Sequence, residues 1–139
     1  MHSEHLQNVQ WSWVAFGWFA SVAAASALLL ALEAAGAFGG SETTVAVLVT
    51  LAVAAGFAFG GFIMCYKTAA APVLHGSAMA GLSFVVWFLL NLTFGGFTTG
   101  LSAWEGLSVR TFAVALLVQG AAAIAGAWLG YRYAPVRVE

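Results

Sequence analysis

Ser21-Val22-Ala23-Ala24-Ala25-Ser26-Ala27-Leu28-Leu29-Leu30 contains no ionisable side chain and nothing bulkier than leucine. Alanine and leucine are the strongest helix formers, so an uncharged run of this kind reads as the middle of a helix. Outward from it, the apolar stretch extends over about 13–36 and stops at the turn Gly39-Gly40-Ser41-Glu42. About 20 residues rising 1.5 Å each cover the roughly 30 Å of a bilayer's hydrocarbon, and the stretch is long enough to cross. Three further runs of similar length follow, at about 44–66, 72–97 and 109–131. The second is rich in Val and Gly, yet a lone strand in lipid would leave its backbone groups unpaired, so it too is expected to be helical. Pro72 suits the first turn of the third helix, where its missing N–H is no loss. Ser108 is placed to cap the fourth.

Charge agrees with this layout. Only nine of 139 residues are Asp, Glu, Lys or Arg, which is 6% against about 25% in a soluble domain, and mean hydropathy is +0.96. The expected fold is therefore all-α: a single transmembrane domain over 1–139, folded as a four-helix bundle in the lipid bilayer. A net charge of −1 leaves no basic surface for nucleic acid. Cys65 is the one cysteine, so neither an intramolecular disulfide nor a multi-cysteine metal site is available. The residues before the first run hold no Lys or Arg, unlike the basic start of a cleaved signal peptide, and that run is read as a retained helix. Four crossings put Lys67, Arg132 and Arg137 on one side and Arg110 on the other. The positive-inside rule then predicts cytoplasmic termini.

Helices in lipid gain nothing from apolar contact alone and associate where small residues let backbones approach. Each run offers such residues at a spacing of four, which keeps them on one face. They are Gly17, Ser21 and Ala25; Gly56 and Gly60; Ser77 and Gly81; and Ala122, Gly126 and Gly130. These rows either close the bundle internally or present a docking face to another subunit.

Few polar groups lie deep enough to carry chemistry. Glu33 falls near the end of the first helix, within reach of water; Asn91 lies in the third and Gln119 near the middle of the fourth. An ionisable group at membrane depth is a functional candidate by default, and amides there bond across helices or line a solute path. His75, one turn after Pro72, could ligate a haem or chlorophyll-type pigment, titrate near neutrality, or cap the link between helices. A bis-histidine haem would need a second embedded histidine, and the others, His2 and His5, are in the N-terminal tail. With no nucleophile and base in register, no paired carboxylates and no phosphate loop, no metal or catalytic site is expected.

Gln10-Trp11-Ser12-Trp13-Val14-Ala15-Phe16-Gly17, Gly60-Gly61-Phe62-Ile63, and Leu74-His75-Gly76 with Gly81 together resemble a group of four-span bacterial membrane proteins, the YrzE-like group. There a Gly-Gly-aromatic run followed by a basic residue leads to a His-Gly pair. The likeness covers most of the first three helices. Met64-Cys65-Tyr66-Lys67 departs from the Ala-x-Arg or Ala-x-Lys usual in that group. The resemblance implies a four-helix bundle with cytoplasmic termini in the bacterial inner membrane, and no activity. The functional expectation is a non-catalytic accessory or assembly subunit, joined to other membrane subunits or to copies of itself. The alternatives are a small oligomeric transporter or channel using Glu33, Asn91, Gln119 or His75, and a pigment- or haem-binding subunit.

Overall fold

The computed structural model describes residues 9–90, 92–93 and 109–135, with the side chains of 109–112 left aside. Asn91, Ser108, Arg137, His2 and His5 lie outside the described residues, as does the side chain of Arg110. The chain folds into α1 (Trp11–Ala34), a 3-10 turn (Ala37–Gly39), α2 (Glu42–Thr68), α3 (Pro72–Leu90) and α4 (Val109–Tyr133). All four α-helices are long and apolar enough to cross a membrane.

The helix ends follow local chemistry. Gln10 precedes α1 in an extended conformation, and its carbonyl accepts from the N–H groups of Trp13 and Val14. Ser41 caps α2, its hydroxyl accepting from Thr44 N–H at 3.3 Å, while Gly36 takes a left-handed φ of 69° to turn the chain after α1. The α2–α3 link is tighter than a polar loop. Ala69 and Ala71 both adopt positive φ, 49° and 38°, a region that an alanine Cβ makes unfavourable. Pro72 then opens α3. The third apolar run was expected to stay helical to about 97; α3 is described over Pro72–Leu90, Leu92 and Thr93 take a wider, π-type turn, and 94–97 lie outside the described residues.

Around the bundle the order is α1, α2, α4, α3, with α1 again beside α3. Contacts give the directions. Gln10 meets His75 and Trp18 meets Ser83, both 65 residues on, so α1 and α3 run parallel. Ala58 lies against Gly126 and Phe62 against Gly130, so α2 and α4 run parallel too. Gly56 faces Ser21 and Ala25 while Gly60 faces Gly17, making α1 and α2 antiparallel. Both described ends of the chain and the α2–α3 link therefore share one end of the bundle.

That end is packed solid. Val14, Met64, Cys65, His75, Met79, Ala123 and Ala127 are almost wholly buried there. The outer surface is the reverse, with Leu30, Leu51 and Leu117 61–72% exposed. Such a continuous apolar exterior would be a liability in water and is suited to lipid. Trp11, Tyr66, Trp128, Tyr131 and Tyr133 form an exposed aromatic belt around the packed end, where amphipathic rings sit best, and the Arg132 guanidinium lies 5.6 Å from the Trp128 ring.

Candidate functional sites

Three places combine chemistry with geometry: the glycine seams, the His75 strut and a cavity in the other half of the bundle. At the seams the backbones touch. A methyl group added at Gly60 would collide with Ser21 Oγ and Gly17 O, and one at Gly56 would lie 2.6 Å from Ser21 O. At Gly126 it would collide with Ala58 O and at Gly130 with Phe62 O, and at Gly17 it would come within 3.1 Å of Met64 Cβ. Ser21 is fully buried at the α1–α2 seam and returns its hydroxyl to Gly17 O at 2.8 Å. Sequence spacing missed Gly61, which meets Ala123 O, and Gly76, which lies 2.7 Å from Ile124 Cα when a Cβ is added.

The row at Ser77 and Gly81 is not part of this packing. Both residues are exposed, and nothing lies within 4 Å of a Cβ placed on Gly81. The reason is rotational: α3 turns His75, Gly76, Met79 and Ser83 inward, which carries Ser77 and Gly81 to the outside. They form a notch on the lipid-facing surface between the exposed Val73 and Val85. Next to it Phe84 and Phe88 stack at 6.3 Å.

His75 is fully buried, yet its ring is fully used. Nε2 accepts from Gln10 N–H at 3.2 Å, and Nδ1 lies 2.9 Å from Ala71 O. A carbonyl only accepts and a backbone N–H only donates, so the ring is the neutral tautomer with its proton on Nδ1. His75 thereby ties the start of α1 to the start of α3. With both nitrogens engaged, no lone pair remains for the iron of a haem or the magnesium of a chlorophyll-type pigment, unless the Gln10 bond is given up.

Beyond the packed half, residues of all four helices line a cavity of about 470 Å³. Its floor is built by Trp18, Phe57, Ser83 and Gln119, and its wall includes Trp87. The Trp18 indole donates to Ser83 Oγ at 2.9 Å, bracing α1 against α3. Gln119 Oε1 is buried without a hydrogen-bond partner. Glu33 is exposed at the far end of α1 from His75, so the structure does not bring Glu33, Gln119 and His75 into one polar path. No protein-family model, curated protein or solved structure matches this chain.

Proposed function

We propose that this protein is a non-catalytic accessory subunit of the bacterial inner membrane, with both termini in the cytoplasm, that docks on another membrane helix through the outer face of α3. The observation carrying this reading is the Ser77–Gly81 notch. The glycines of the other three rows named above pack against backbone inside the bundle, whereas Gly81 has open space where a side chain would stand. In lipid such a notch is where a second backbone can approach. Lys67 and Arg132 at the packed end, with Arg137 in the sequence beyond, support the orientation. The likeness to the YrzE-like group belongs with this reading.

Purification in a mild detergent should recover the protein as an oligomer or with a stoichiometric membrane partner. Gly81→Leu should release that association while the bundle stays folded. A wild-type protein that is a monodisperse monomer throughout, or an association indifferent to Gly81→Leu, would overturn the proposal. The buried, unpaired Oε1 of Gln119 is the observation that favours the transporter alternative. Proteoliposome flux abolished by Gln119→Leu would support that alternative, and absence of flux for ions and small solutes would remove it.

A further inference from the structure

We infer that the cavity between the four helices binds a bilayer-soluble molecule consisting of an apolar body and a single hydroxyl group, with the hydroxyl on Gln119. The cavity lies in a bundle whose other half is so tightly packed that backbones touch, and residues of all four helices line it. At about 470 Å³ it falls within the roughly 300–1,000 Å³ usual for ligand pockets.

Its walls decide what fits. Water is a poor occupant, because a buried water needs two to four polar partners. Away from Gln119, Ser83 and Ser26 the lining at Val53, Phe57, Val86 and Leu116 offers none. A plain acyl chain would suit those walls but leave Gln119 Oε1 unpaired, and a buried acceptor without a donor is costly. A hydroxyl on an apolar body meets both demands. It donates to Oε1, and because it also accepts, it pairs with the amide in either orientation. Entry is from the lipid side, since Val22 and Leu90 line the cavity and are 37% and 51% exposed. Trp18, Phe57 and Trp87 offer flat faces to a ring or a methyl-branched chain.

The two cavity tryptophans supply the readout. Purified protein in dodecyl maltoside micelles is titrated with 11-bromo-1-undecanol, whose bromine quenches indole fluorescence on contact, and separately with 1-bromoundecane. The expected result is saturable quenching by the alcohol, with the bromoalkane about fivefold weaker, the value of one neutral hydrogen bond. Gln119→Leu should reduce the alcohol to the bromoalkane's level, and Val86→Phe, which fills the cavity, should remove the saturable component. Equal midpoints for alcohol and alkane, or quenching that rises without saturation in the wild type, would overturn the inference. The comparison of the two probes on wild-type protein decides the matter even where a variant fails to fold. It is also independent of whether Gly81→Leu disturbs assembly.

Discussion

Gly126→Ala tests whether the α2–α4 seam is truly a contact of backbone on backbone. A Cβ at Gly126 would meet Ala58 O, with Ala58 C at 2.6 Å and Ala58 Cα at 2.8 Å. None of these atoms can rotate aside, as a side chain would, so the helices must separate. Moving Ala58 C out to the 3.4 Å at which ordinary contact begins requires a shift of at least about 0.8 Å, and the nearer Ala58 O requires more. The shift is transmitted along the seam to Gly61 and Gly130, which make similar contacts. Overpacking of this kind destabilises by about 1–3 kcal/mol, against a helix-propensity gain from Gly to Ala of at most about 1 kcal/mol. The steric term wins, and a net loss is expected. Gly81→Ala is the matched control: the same chemical change with nothing within 4 Å, so only the propensity gain remains. The assay is reversible unfolding in mixed micelles of mild detergent and dodecyl sulfate, followed by circular dichroism. If Gly126→Ala unfolds at the same dodecyl sulfate fraction as the wild type, or Gly81→Ala loses as much as Gly126→Ala, the reasoning fails.

His75→Leu removes the acceptor for Gln10 N–H, and amide exchange at Gln10 and through the first turn of α1 should accelerate; unchanged protection would show that the strut is idle. Ser83→Ala strips the Trp18 indole of its acceptor, for which a loss of about 1 kcal/mol is expected, seen as a lower unfolding midpoint and a shifted tryptophan emission. Ala69→Gly should raise the unfolding midpoint, because glycine relieves a left-handed φ of 49° that holds alanine at a disadvantage of about 1 kcal/mol. Cys65, with no exposed surface, should react slowly with a maleimide in mild detergent and rapidly once dodecyl sulfate unfolds the bundle.

The helices were legible because composition alone demands them: α2 extends two residues past each expected boundary, and α3 and α4 begin at Pro72 and Val109 as read from the sequence. Small-residue spacing found the seams at Gly17, Gly56, Gly60, Gly126 and Gly130, since a spacing of four is a property of one helix. It could not choose between rival faces of α3. There Gly76-Met79-Ser83 and Ser77-Gly81 are both acceptable rows, and a helix apolar all round has no polar side to set its rotation. Gln10 as the partner of His75 was equally hidden, because 65 residues separate them and only the parallel arrangement of α1 and α3 brings them together. The cavity depends on the summed side-chain volumes of four helices at one depth, which no single segment encodes.

The tightest seam also joins helices that are not neighbours in the chain, α2 and α4. Because synthesis proceeds from the N-terminus, the α1–α2 hairpin enters the bilayer with its Gly17–Gly60 contact available at once, while the groove at Ala58, Gly61 and Phe62 waits for the last helix. Until α4 arrives, the small residues of that groove lack the backbone they pack against in the finished bundle. The final packing of this small bundle is thus a matter of timing, completed only when the last helix is made.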